Sequence, residues 1–127
     1  MEKYSIEGTV KTPTINFDLI KGELEIHGNS IPENSVDFYK PLIEALDRYA
    51  ESAKPTTTVT FNMRYFNTSS SKRILDVFKK LENLNRAGNS AVTVNWVYED
   101  DDDDMLEAGE DYESVVDLTF KMVPVKV

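Results

Sequence analysis

Thr57-Thr58-Val59-Thr60-Phe61-Asn62-Met63-Arg64-Tyr65-Phe66-Asn67-Thr68-Ser69-Ser70-Ser71-Lys72 changes its period partway along, and that change decides the fold. From Thr57 to Tyr65 apolar side chains alternate, so Val59, Phe61, Met63 and Tyr65 are expected on one face of a buried strand. From Ser70 to Ala87 the apolar residues Ile74, Leu75, Phe78, Leu81 and Leu84 recur mostly three or four apart, the stripe of an amphipathic helix. Between strand and helix stand four hydroxyls in a row. Ser and Thr oxygens accept from the orphan amides of a first helical turn, so the cluster reads first as a cap. Capping needs only one of them. The same place offers free amides and the positive end of a helix dipole to a phosphate, so a phosphoacceptor site is the second reading. Spacing alone leaves both open. Of Tyr65 and Phe66, one is expected to close the core and the other to stand exposed as a recognition handle.

Upstream, three β signals open the chain: Tyr4 to Val10, Thr14 to Asp18, and Glu23 to Gly28, where Leu24 and Ile26 alternate with Glu23, Glu25 and His27. Lys21-Gly22 reads as the hairpin turn between the second and third. Pro13 suits the extended approach to the second strand rather than its middle. A loop from Gly28 to Asn34 leads into a helix over about Ser35 to Ser52, with Pro41 inside it as a kink or as the mark of a later true start. Downstream, Gly88 stops the helix that follows the hydroxyls. A strand runs from Ala91 to Tyr98, a weaker helix interrupted by Gly109 from Met105 to Val116, and a last strand from Leu118 to Val123, ended by Pro124. The order β-β-β-α-β-α-β-α-β implies an α/β fold, a mixed sheet of about six strands with helices packed against it.

Composition bounds the function. The 127 residues make one domain's worth of chain, and apolar residues at 40% with charged residues at 29% describe an ordinary soluble protein. With no cysteine there is neither a disulfide framework nor thiolate chemistry. The opening Met1-Glu2-Lys3-Tyr4-Ser5-Ile6 lacks the apolar stretch of a secretory signal, and no run reaches membrane-spanning length, so the cytoplasm is the expected location. A net charge of −9 argues against nucleic acid, whose phosphates are bound by Lys and Arg clusters. It favours basic protein partners.

Enzyme signatures are absent: no glycine-rich phosphate loop, no Cys/His metal set, no nucleophile elbow. His27, the single histidine, lies on the polar phase of its strand beside Glu25 and reads as a surface residue. Trp96 shares a strand face with Val92 and Val94 and reads as core. The six acids from Glu99 to Asp104 admit three readings: a solvated loop, a docking surface for a basic partner, or a hard-cation site without the spacing of an EF-hand. A phosphate on the hydroxyl cluster would meet Lys72 or Arg73 and, on so acidic a chain, should weaken any contact made through that helix start.

The run from Tyr65 to Lys72 resembles the signature of the SiaC-type regulatory phosphoproteins of bacteria. The resemblance extends to Thr12-Pro13 with Phe17-Asp18, the Gly28-x-Ser30-x-Pro32-Glu33-Asn34 loop with Phe38-Tyr39, Val94-Asn95-Trp96-x-Tyr98-Glu99, and Asp104 to Tyr112. It covers nearly the whole chain. What it implies is a single STAS-like domain over residues 1–127 that works by partner switching, without cofactor or catalytic residue. Thr68 becomes the phosphoacceptor, served by a Ser/Thr kinase of the histidine-kinase-like ATPase type and a PP2C-like phosphatase. Asn67, Ser69, Ser70 and Ser71 shape the helix start, Lys72 neighbours the phosphate, and Tyr65 joins the partner surface. The unphosphorylated form is expected to bind and activate a diguanylate cyclase, raising cyclic di-GMP and promoting aggregation or biofilm growth. Two alternatives stand beside this: an anti-sigma-factor antagonist that binds the kinase itself, and a divalent-cation-binding domain centred on residues 99 to 104.

Overall fold

Six strands stand side by side in chain order, the first three antiparallel and the last three each parallel to the one before. In the computed structural model, which describes residues 3–127, they are β1 (Lys3–Ile6), β2 (Thr14–Asp18), β3 (Glu23–Ser30), β4 (Thr56–Phe66), β5 (Ala91–Glu99) and β6 (Thr119–Val125). Met1 and Glu2, the head of the segment read above as lacking a secretory signal, lie outside the described residues. The helices α1 (Ser35–Ala50), α2 (Thr68–Arg86) and α3 (Asp103–Val115) make the three crossovers between parallel strands. The expected order of elements is the one found.

One face of the sheet carries the core. Across it, Phe17, Leu24, Val59, Val94 and Phe120 form one row in register, and Ile15, Ile26, Phe61, Trp96 and Met122 form the next. All three helices settle on this face. Tyr49 of α1 meets Phe17 with ring centroids 5.3 Å apart, Phe78 of α2 meets Phe61 at 4.9 Å, and Tyr112 of α3 meets Trp96 at 5.6 Å. Aromatic pairs at such offsets add to the burial of their rings. The opposite face is polar, with Asn16, Glu25, Thr60, Asn95 and Lys121 in one row. That alternation is what strands buried on a single face require.

Several boundaries differ from the sequence expectation for local reasons. β1 ends at Ile6 rather than Val10, because Gly8 donates its amide to Thr14 Oγ1 (2.9 Å) and Thr9 to the Thr12 carbonyl (2.9 Å), which turns the chain back early. Pro124 lies within β6 instead of ending it. Val125 offers its carbonyl to the Asp100 amide across β5 (2.8 Å), so Pro124, one residue earlier, turns its missing N–H to the free edge, where nothing needs it. Gly109 does not interrupt α3 but lets it approach. A β-carbon there would stand 2.5 Å from Trp96 Cδ1, and Trp96 Nε1 donates to the Met105 carbonyl at 2.9 Å. Pro41 sits exposed inside α1, which starts before it at Ser35.

Candidate functional site

The last turns of β4 set the geometry of the hydroxyl cluster. The register of β3 with β4 runs Gly28 opposite Met63 and then Asn29 opposite Tyr65, so β4 carries one extra residue, a β-bulge at Arg64. The bulge reverses the alternation. Tyr65, expected on the core face with Met63, is therefore turned outward and is 56% exposed. Phe66 turns inward instead and packs against Trp96 and Tyr112, with centroids 6.2 and 6.3 Å away. One aromatic closes the core and its neighbour stands free, as the pair led one to expect.

Helix α2 begins at Thr68, two residues earlier than its apolar stripe suggested, so the hydroxyls lie inside its first turn. The cap is Asn67, not a Ser or Thr: its Oδ1 accepts from the Ser70 amide at 2.8 Å, and its own amide donates to the Ser30 carbonyl at 3.1 Å. The four hydroxyls then have four different fates. Ser70 is fully buried, donates to the Ser30 carbonyl (3.0 Å) and accepts from Ser30 Oγ (2.8 Å). Ser69 is exposed, but its hydroxyl is bound to that of Ser35. Ser71 donates back to the Thr68 carbonyl (2.7 Å). Thr68 is exposed, and its hydroxyl has no partner among the described residues.

The electrostatics around Thr68 suit an added anion. The amides at the start of a helix have no intrahelical acceptor, and they carry the positive end of its dipole. α1 and α3 place acids in their first turns, Asp37 in one and Asp103 and Asp104 in the other, whereas α2 places none. Lys72, four residues on, is exposed and has no ion-pair partner among the described residues. Arg73 is already engaged, its Nε 2.9 Å from Asp76 Oδ2.

Tyr112 donates its hydroxyl to the Ser71 carbonyl at 2.8 Å and thereby joins α3 to the first turn of α2. Burial first, and then the neighbouring Tyr39, raises the Tyr112 phenol far above its ordinary value, so it stays a neutral donor. Beside this bond lies an apolar groove of about 360 Å³ lined by Phe66, Leu75, Ala108, Tyr112 and Val115, with Lys72 and Asp111 also on its walls. A larger cleft of about 490 Å³ opens where β4 and β5 cease to pair beyond Phe61 and Trp96. It is lined by charges of both signs, Arg64, Glu99 and Lys126 among them, and by none of residues 65 to 72. Of the two, the groove shares its wall with the hydroxyl cluster, through Ser71 and Lys72.

The acid run has a structural task that the sequence reading missed. Asp102 caps α3, accepting from the Met105 amide at 3.0 Å, and Asp103 and Asp104 fill the first turn, where negative charge is favoured. Among the described residues no group of three or more acids or histidines is gathered as a metal site. His27 is half-exposed, with Nε2 3.6 Å from Glu25 Oε1. Ser30, Ser35, Tyr39 and Tyr112, which hold the hydroxyl cluster, were not singled out from spacing. Their one signal was that Ser30, Tyr39 and Tyr112 lie in segments that carry the family resemblance.

A six-stranded mixed sheet covered on one face by three helices makes this an α/β domain, with one free hydroxyl among the described residues at the start of α2. A family model of SiaC family regulatory phosphoproteins matches residues 6–125, and the chain belongs to that family. SiaC of Pseudomonas aeruginosa superimposes with a TM-score of 0.89 at 27% identity, over 98% of this chain and all of that one. A second structure shows a diguanylate cyclase, SiaD, in complex with its activator SiaC from the same organism. Its matching chain superimposes at 0.90 with 27% identity, over 96% of this chain and 99% of that one. An uncharacterised protein of Pseudomonas aeruginosa strain UCBPP-PA14 is 28% identical over 120 residues, 94% of each chain.

Proposed function

We propose that this protein is a partner-switching regulator whose state is set by phosphate on Thr68. With Thr68 unmodified it binds and activates a diguanylate cyclase in the cytoplasm, raising cyclic di-GMP and favouring aggregation or biofilm growth. A Ser/Thr kinase of the histidine-kinase-like ATPase type adds the phosphate and a PP2C-like phosphatase removes it. The chain itself catalyses nothing.

The observation that carries this reading is the contrast among the four hydroxyls. A kinase needs an oxygen it can reach, and Thr68 is both exposed and unengaged, while Ser70 is sealed in the core. Kinship with a cyclase activator over nearly the whole chain supports the choice of target. No helix among the described residues is long and apolar enough to cross a membrane. The test is phosphopeptide mapping after incubation with ATP and the kinase, alongside cyclase assays with the purified chain. Phosphate is expected on Thr68, and cyclase activation is expected from wild type and Thr68→Ala but not from the phosphorylated chain. Modification elsewhere with Thr68 untouched refutes the acceptor; an unresponsive cyclase refutes the target.

A further inference from the structure

Thr68, Ser71, Lys72 and Leu75 stand at i, i+3, i+4 and i+7 of α2 and so share one stripe, whose last three members line the apolar groove. Ala108, Asp111, Tyr112 and Val115 make the facing stripe of α3. The bond from Tyr112 to the Ser71 carbonyl fixes these two helices relative to one another, so the groove is formed before anything enters it. Val115 is 56% exposed at its wall. Lys72 and Asp111 are exposed and of opposite sign, yet among the described residues neither has an ion-pair partner, each other included. Further acids, Glu107, Glu110 and Glu113, stand exposed along α3.

An off switch made of negative charge poses a problem on a chain of net charge −9. A partner that was simply basic would be held more tightly by a phosphate. Release by like-charge repulsion needs a negative group of the partner close to Thr68, inside the Debye length of about 8 Å at physiological salt. The groove supplies the place for one, because its α2 wall is cationic and its α3 wall is acidic.

Resting on the reading of this chain as a Thr68-controlled cyclase activator, we infer that the target seats an apolar side chain in the α2–α3 groove, with a carboxylate toward Lys72 and a cation toward Asp111. Phosphate on Thr68 then ejects it. An acid four residues N-terminal to a lysine is the favourable order for a helical ion pair, so the phosphate draws Lys72 to itself. The partner's carboxylate is left facing a dianion instead of an ammonium.

The test uses the full chain and the purified diguanylate cyclase, with affinities measured by calorimetry for Val115→Asp, Lys72→Glu and Asp111→Lys. All three positions are exposed, so the variants keep the fold. Each is expected to bind at least about tenfold more weakly than wild type, the loss typical of an interface anchor or a close charge pair. Lys121→Glu, on the open sheet face, is expected to bind within about twofold, as a surface change away from the contact should. In Lys72→Glu, Thr68→Asp is expected to weaken binding by a smaller factor than it does in the wild-type chain, because the pair it would break is already gone and only the repulsion remains. Val115→Asp and Lys72→Glu binding as tightly as wild type overturns the inference and leaves the cyclase reading intact. A wild-type chain that binds no cyclase removes that reading and the inference with it.

Discussion

Ser30 Oγ donates to Ser70 Oγ at 2.8 Å, and Ser70 Oγ donates back to the Ser30 carbonyl at 3.0 Å. Since Ser30 spends its one proton on Ser70, the Tyr39 hydroxyl, 2.7 Å away, must donate to Ser30. Burial pushes the Tyr39 phenol up to about 12, so the chain of donors keeps its direction through the physiological range. The clasp ties the start of α2 to β3 and α1 and leaves Thr68 outside it.

Ser70→Ala and Thr68→Ala should therefore separate cleanly. Removing Ser70 Oγ leaves a buried donor on Ser30 without its acceptor, a loss of about 1–3 kcal/mol. Thr68→Ala touches no buried group and should change stability by less than about 0.5 kcal/mol. Chemical denaturation measures the first difference and phosphate incorporation the second. Ser70→Ala should still take phosphate, and Thr68→Ala should take none.

Asn67 caps α2 through its side-chain oxygen, so Asn67→Ala should cost about 1 kcal/mol and Asn67→Asp much less. The Asp variant also adds an anion one residue before the acceptor. Thermal unfolding of the two variants, with kinase turnover on Thr68 compared in parallel, checks both effects. Equal destabilisation by Ala and Asp would refute the cap.

Gly109 is the point of closest approach between α3 and the indole of Trp96. Gly109→Ala gains helix propensity but forces ring and helix apart. Overpacking of this kind costs about 1–3 kcal/mol, more than propensity returns. A lowered melting temperature is expected, together with a changed Trp96 emission spectrum. An unchanged or raised melting temperature would show that α3 floats freely over the sheet.

Glu82 is 3% exposed, accepts from the Asp117 amide, and has Lys79 Nζ and an Arg86 nitrogen each 3.5 Å from a carboxylate oxygen. The Asp117 amide chiefly, and the two cations after it, outweigh burial and hold the carboxyl below its ordinary value. A group that binds its proton more weakly when folded stabilises the fold above its unfolded pKa, and loses that contribution as pH falls through its folded pKa. Glu82→Gln should melt below wild type at neutral pH, and the gap should close as the solution is acidified. A gap independent of pH would mean that the carboxylate's charge contributes nothing.

The chain's own pattern determined a good deal. Period-two alternation in Leu24-x-Ile26 and Val59-x-Phe61 marked strands buried on one face, and the Ile74-to-Leu84 stripe marked the helix beside them, because side-chain direction repeats with the backbone. The hydroxyl cluster marked the place to look, and the family resemblance chose Thr68 from it. Tertiary structure decided the rest. Tyr65 and Met63 share a phase in the sequence, yet a single extra residue opposite Asn29 sends Tyr65 outward and Phe66 inward, and no local propensity announces such a bulge. Ser70 and Thr68 are equally polar in the sequence. Ser30, forty positions from Ser70, buries one hydroxyl and spares the other, since what sits opposite a helix start depends on which strand the sheet places there.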